Sequence, residues 1–313
     1  MQVNSFYQIH QGELSQVSSL PSSNVRISVF EKCQLESKEI PSRWLELLEL
    51  MPNDLEAYCN FRLTHSLLVL DLYLDELALA SVLENMIRPS GFDYQVWPSI
   101  EHKPELLVFD MDSTFIQIEV IDELARQHGV GESVSQVTEA AMRGELDFSE
   151  SLISRVACLE GLSESVIYSI SESLPLSEGV ASLVDSCHQA GIKIAIVSGG
   201  FTPFVSHLKE SMGLFKVKAN NLEIENGKLT GKVSGGIVDA QAKAHFVSSL
   251  ASELDLPESK VMTIGDGAND LQMMKVSGFS LAYRAKPAVQ AQAGGIMNNT
   301  CLNHLAEIFE WPV

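Results

Sequence analysis

Asp110 and Asp112 are the residues from which a reaction could start. They stand one residue apart, directly after Leu106-Leu107-Val108-Phe109, an apolar run that suits a buried strand and delivers both carboxylates at its carboxyl end. Alternation along an extended backbone would turn the two to the same side. Carboxylates held that close repel, so the site calls for a divalent cation, a shared proton, or both. A carboxylate nucleophile beside a carboxylate acid or base is also one way to move a phosphoryl group, through an aspartyl phosphate. The D-x-D-x-T run begins like a calcium loop. Phe115 stands where that loop needs its glycine and Ile121 where it needs its glutamate, which excludes it.

Two further loops carry unusual polar residues. Ser198-Gly199-Gly200 follows the apolar run Ile192–Val197 and can set a hydroxyl and backbone N–H groups around phosphate oxygens, because glycine permits close approach. Thr202-Pro203 then reads as an N-cap with proline in the first turn, the positive end of a helix facing an anion. Gly265-Asp266-Gly267-Ala268-Asn269-Asp270 follows Val261–Ile264. It lacks the third glycine of a dinucleotide loop and comes late in the chain, so it reads better as a source of oxygen ligands. Lys243 opens a modest helical segment and, taken alone, is an ordinary solvated lysine. No His/Cys cluster has zinc spacing.

These loops need a frame. The three apolar runs predict an α/β fold with a doubly wound parallel sheet, in which ligands bind beyond the carboxyl ends of the strands. The mostly helical stretch at about 119–189 exceeds what a β-α-β crossover requires and predicts an inserted helical cap within a catalytic domain spanning 105–313. Asn226-Gly227 predicts a hairpin between 221 and 238. Residues 1–97 read as a separate α+β domain. Its strands are expected at Val25–Phe30, Ser66–Leu70 and Phe92–Val96, and its helices at Trp44–Leu50 and Asp75–Ile87. That order suggests a ferredoxin-like sandwich, of the ACT-like kind that senses ligands. Residues 98–104, bounded by Pro98 and Pro104, form the expected linker.

A chain of 313 residues, 45% of them hydrophobic, is long enough for two cores. Its formal charge of −20 repels nucleic acid and anionic membrane, and neither is an expected partner. Five scattered cysteines fit reduced thiols in a cytoplasmic protein. No secretory signal is expected. The greasiest stretch, Leu67–Leu83, is broken by Asp71, Asp75 and Glu76 and does not suit a membrane span.

In order, Asp110-Met111-Asp112-Ser113-Thr114, Ser198-Gly199-Gly200, Lys243 and Gly265–Asp270 resemble the motifs of haloacid dehalogenase-like phosphatases. The likeness is greatest to the phosphoserine phosphatase family. Glu119, the Met142–Phe148 segment, Arg155 and the Ser-Gly-Gly-Phe-Thr run at 198–202 all stand where that family has them. The resemblance runs from Glu105 to the last residue. It implies Asp110 as nucleophile, Asp112 as acid and then base, and Lys243 as the cation balancing the phosphoryl charge. It implies Mg²⁺ held by Asp110, the main-chain carbonyl of Asp112, and Asp266, with Asp270 orienting Lys243 or a metal-bound water. Ser198, Gly199 and Asn269 would touch phosphate or substrate. Arg155 would grip a carboxylate and Glu119 an ammonium, between apolar walls from Met142 and Phe148. The activity implied is hydrolysis of a small phosphomonoester, phosphoserine. Transfer of the same phosphoryl group to another alcohol such as homoserine, and a silent amino-acid sensor, are the competing expectations.

Overall fold

The computed structural model describes residues 6–10, 13–17, 25–32, 42–51, 57–98 and 102–312. Cys33 and residues 99–101 of the expected linker lie outside the described residues, as does the side chain of Met142. The strands are β1 Phe6–His10, β2 Glu13–Val17, β3 Val25–Lys32, β4 Ala57–Leu63, β5 Leu67–Leu74, β6 Asp93–Trp97, β7 Leu106–Phe109, β8 Lys193–Phe201, β9 Lys216–Glu225, β10 Lys228–Ser234, β11 Val261–Gly265, β12 Phe279–Tyr283 and β13 Gly295–Met297. They form one sheet in the order β10-β9-β8-β7-β11-β12-β13-β6-β3-β5-β4-β1-β2.

From β9 to β13 the pairings are parallel. Numbered by appearance, those strands lie 3-2-1-4-5-6, the doubly wound order. β7 is apolar throughout because both of its faces are covered. Leu107 and Phe109 share a core with the helices Val180–Ala190 and Thr202–Met212, while Leu106 and Val108 pack with Phe246, Val247 and Leu250 of the helix Ala240–Glu253. Each such buried side chain contributes roughly 1.5–3 kcal/mol. β7 and β11 are neighbours at the point where the strand order reverses, so the loops after them open the crevice where such sheets bind ligands.

The cap consists of the helices Val120–His128, Gly131–Met142, Phe148–Ala157 and Glu164–Ser171. The hairpin β9–β10 turns at Asn226-Gly227 as expected, with φ of 53° and 75°. It props the cap from the side. Gly231 lies so close to Ala157 that a β-carbon there would sit 3.3 Å from that backbone.

Among the described residues before 98, the order is β-α-β-β-α-β, from β3 through the helix Ser42–Glu49, β4, β5, the helix starting Glu76–Val82, and β6. Their sheet order β6-β3-β5-β4 is antiparallel throughout, as in ferredoxin-like folds. The sequence reading missed β4 and the hairpin β1–β2. Asn60 and Arg62 interrupt the apolar residues of Ala57–Leu63. Arg62 is accommodated because it joins Arg26 and Ser28 around the carboxylate of Asp71, which is fully buried in the middle of β5. Arg26 also lies over the Trp97 ring, 4.0 Å from its centroid.

The two parts are joined along a seam. β6 pairs antiparallel with β13 through Gln95↔Gly295 and Tyr94↔Ile296. Asp93 accepts hydrogen bonds from the backbone of Asn298 and Thr300 at 2.8 Å each. Trp97 packs on Phe279 and Phe309, with ring centroids 6.0 and 4.8 Å away. Glu307 accepts from the Ser66 amide at 2.9 Å and from the hydroxyls of Thr64 and Ser66. Among the described residues Cys59, Cys158, Cys187 and Cys301 are free thiols, and no helix is long and apolar enough to cross a membrane.

Candidate active site

Lys243 is the centre of the site and is fully buried. Its ammonium stands 2.7 Å from Asp110 Oδ2 and 2.8 Å from Asp270 Oδ1. Burial opposes its charge, but the Asp110 and Asp270 carboxylates outweigh that and raise its pKa. It is no solvated lysine. The Asp239 side chain caps the helix Ala240–Glu253 by accepting from the Ala242 amide at 2.8 Å, and this sets Lys243 in the first turn, under the ends of β7 and β11.

Asp110 directly follows β7. Its Oδ1 accepts from the Met111 amide at 2.7 Å. Asp112 does not reach the site by strand alternation. The backbone leaves the strand after Asp110, and Ser113 takes a left-handed φ of 55°. This turn presents Asp112 to the Val120 amide at 2.8 Å and to the Ser198 hydroxyl at 3.3 Å. The first helix of the cap and the end of β8 thus hold one carboxylate between them. Burial first, and the charge of Glu119 second, push Asp112 up to about 7. A group with that pKa can both give and take a proton near neutrality.

Asp266 follows β11 and accepts from the Thr114 hydroxyl at 3.2 Å. Burial, then the charges of Asp270 and Glu119, push it up to about 6. Asp110, Asp266 and Asp270 bring carboxylate oxygens within 4.8 Å of one another. Burial and the charge of Asp270 raise Asp110 well above its usual range, against the pull of Lys243. Three clustered carboxylates face one ammonium, so charge balance and the all-oxygen donor set both fit a hard divalent cation. Asp112 adds no carboxylate oxygen to this group; only its main-chain carbonyl remains for the expected ligand role. Asp270 has its Oδ1 on Lys243 and its Oδ2 accepting from the Gly267 amide at 3.0 Å.

The irregular end of β8, between Val197 and Phe201, is drawn tight. Gly200 donates its amide to Ser198 Oγ at 2.8 Å, and a β-carbon on Gly200 would lie 2.6 Å from Asp112 Oδ2. Gly199 touches Phe148 across the cavity, where a β-carbon would come within 2.8 Å of the ring. Thr202 is not the expected N-cap. It is the first residue of its helix, and its hydroxyl donates to Asn221 Oδ1 at 2.8 Å.

A cavity of about 580 Å³ joins these loops to the cap. Asp147 and Glu150 form a capping box that fixes the start of the helix Phe148–Ala157. Phe148, Ser151, Leu152 and Arg155 therefore share one face, at helical spacing, and all line the cavity. The Arg155 Nε donates to the Ser151 carbonyl at 3.4 Å, a weak bond that leaves the outer fork of the guanidinium available. Glu119 lines the opposite wall, where its carboxylate accepts from the Ser113 hydroxyl at 2.8 Å. Asn269 and Gly199 also line the cavity, whereas Ser198 and Lys243 lie just behind its surface. Sequence reasoning missed Ser151 and Leu152, which helical spacing from Phe148 would have found. It also missed Lys286, which lines the mouth and belongs to no motif.

A model of haloacid dehalogenase-like hydrolases matches residues 107–275. The phosphoserine phosphatase of Idiomarina loihiensis is 48% identical over 209 residues, 67% of this chain and 94% of that one. Among solved structures, a haloacid dehalogenase family hydrolase of Salmonella enterica serovar Typhi superposes with a TM-score of 0.81 at 28% identity, covering 91% of this chain and 99% of the other. A probable phosphoserine phosphatase from Vibrio cholerae, in unliganded form, gives 0.72 at 32% identity over 99% and 95%. A phospho-aspartyl intermediate analogue of a phosphoserine phosphatase gives 0.61 at 34% identity, over 66% of this chain and 99% of that one.

Proposed function

Since the chain belongs to the haloacid dehalogenase-like hydrolases, and within them to the phosphoserine phosphatases, we propose that it hydrolyses O-phospho-L-serine to serine and phosphate, the last step of serine biosynthesis. The observation that carries the chemistry is the buried Asp110–Lys243–Asp270 array, with Asp112 held beside it by Val120 and Ser198. Asp110 attacks phosphorus in line. An Asp110 O–P bond forms as the bond from phosphorus to the serine oxygen breaks, and the carboxylic acid of Asp112 gives that oxygen its proton. Asp112, now a carboxylate, takes a proton from the water that attacks the aspartyl phosphate. The Asp110 O–P bond then breaks and phosphate leaves. Lys243 stays charged throughout and offsets negative charge on the nucleophile and the phosphoryl oxygens.

Asp110, Asp266 and the main-chain carbonyl of Asp112 would hold Mg²⁺, with Asp270 adjoining. The ion would neutralise phosphoryl charge and help orient the ester. Ser198, Gly199 and Asn269 contact the phosphate. Arg155 takes the substrate carboxylate in a bidentate fork, and Glu119 exchanges its bond from Ser113 for the substrate ammonium. Phe148 walls the pocket. The substrate is thus a small molecule, and the acidic surface and free thiols suit a cytoplasmic enzyme without nucleic-acid partners. Transfer to homoserine finds no support among the relatives, and the intact acid–base pair argues against a silent sensor.

The test is phosphate release by the purified protein with Mg²⁺. Turnover of phosphoserine should far exceed that of p-nitrophenyl phosphate and should vanish with chelator. Turnover of p-nitrophenyl phosphate alone would sink the substrate assignment.

A further inference from the structure

Asn220 is a fully buried amide on β9 and belongs to no motif of the sequence. Its Nδ2 donates to the Gly199 carbonyl at 2.8 Å, and its Oδ1 accepts from the Val238 amide at 2.8 Å. Each partner leads into the site. Gly199 belongs to the loop that follows the strand core of β8 and lines the cavity. Val238 precedes Asp239, whose side chain caps the helix that holds Lys243, and Ala240 of that helix also lines the cavity. One planar side chain therefore spans two segments that contribute to the phosphate end of the site from separate parts of the chain. Without it, a part-buried carbonyl and a buried amide would lose these partners together.

We propose that Asn220 is a positioning residue for phosphoryl transfer, setting the separation between the Gly199 backbone and the Lys243 helix. Asn rather than Asp is required, because the task needs one donor and one acceptor in the same plane. In Asn220→Asp the acceptor for Val238 is kept, but an oxygen then faces the Gly199 carbonyl. The proposal rests on the phosphatase reading only in taking the phosphoryl group to lie at this end of the cavity, and its test does not need phosphoserine to be the substrate.

The experiment compares Asn220→Asp and Asn220→Ser with the unaltered protein, using Mg²⁺ and both phosphoserine and p-nitrophenyl phosphate. A misplacement of about 1 Å can cost ~100-fold in rate. The expected result is a fall in kcat of roughly ten- to a hundredfold on both esters, with KM for each within about threefold. Combining Asn220→Asp with Ser198→Ala should give less than the product of the single effects, since both act on one loop. Near-unaltered kcat in a folded variant, or a loss confined to phosphoserine, would overturn the proposal. If neither variant folds by circular dichroism, Asn220 serves folding alone, and the proposal is equally overturned. Failure of the phosphoserine assignment looks different, because the unaltered protein itself would then turn over only the synthetic ester.

Discussion

At the scale of single residues the site is specified by contacts that leave little slack. Gly200 must lack a side chain because Asp112 Oδ2, Met111 Cε and Ser198 Oγ would all lie within 3.0 Å of its β-carbon. Gly200→Ala should therefore displace Asp112. We expect a kcat loss of about a hundredfold on phosphoserine, and a smaller one on p-nitrophenyl phosphate, whose leaving group needs no proton. Comparing the two substrates in one assay checks this. Arg155 sits two helical turns beyond Phe148 and bears on the substrate's other end. Arg155→Ala should raise KM for phosphoserine by roughly ten- to a hundredfold, the equivalent of a lost charge-assisted contact of about 1.5–3 kcal/mol. KM for an ester without a carboxylate should hardly move, and equal losses on both would remove Arg155 from recognition.

At the scale of elements, Asp71 in β5 shows how an apolar strand tolerates a charge. Burial alone would raise its pKa, but Arg26 and Arg62, with hydrogen bonds from Arg62 and Ser28, hold it below the usual range of an aspartate. Its folded pKa lies below its unfolded one. The stability it contributes is thus present above about pH 4 and is lost as pH falls further, through the folded value. Asp71→Asn would leave Arg26 without its counter-charge and Arg62 with only the exposed Glu310, at a cost of about 3–5 kcal/mol. Urea titrations from pH 7 to 3 should show a lower midpoint for the variant and a shallower decline with acid. This network also marks the limit of what the sequence disclosed. The strands β7, β8 and β11 were legible because apolar runs ended in polar loops, and the cap because a crossover ran too long. Asp110, Lys243 and Asp266 were legible as motif positions. β4 was not, because its charged residue, Arg62, finds its partners far off in sequence, at Asp71 on β5 and at Ile308 and Glu310 near the end of the chain. Nor was Lys286, which reaches the cavity through a turn with no sequence signature, or Asn220, whose two partners are 21 and 18 residues away.

At the scale of the molecule, the continuous sheet joins the ferredoxin-like part to the enzyme. A chain beginning at residue 102 would strip β6 from β13 and uncover Phe279 and Phe309, leaving an open strand edge beside an apolar patch. We expect that fragment to keep its catalytic array but to melt at a lower temperature and to self-associate. Light scattering after gel filtration, together with phosphate release, would show this. A monodisperse fragment as stable as the full chain would mean that the seam adds nothing.

Gly295 gives that seam a further meaning. Its neighbour across the pair, Gln95, folds its amide over the spot where a β-carbon would lie, 2.3 Å from Oε1. One methyl group there would act as a wedge between the two halves. The same strand, β13, holds β12 in register, and β12 runs directly into the turn carrying Lys286 to the cavity mouth. An inherited change at a glycine that borders no cavity could thus surface as a defect of turnover, and a genetic screen for lost enzyme would find it far from the chemistry.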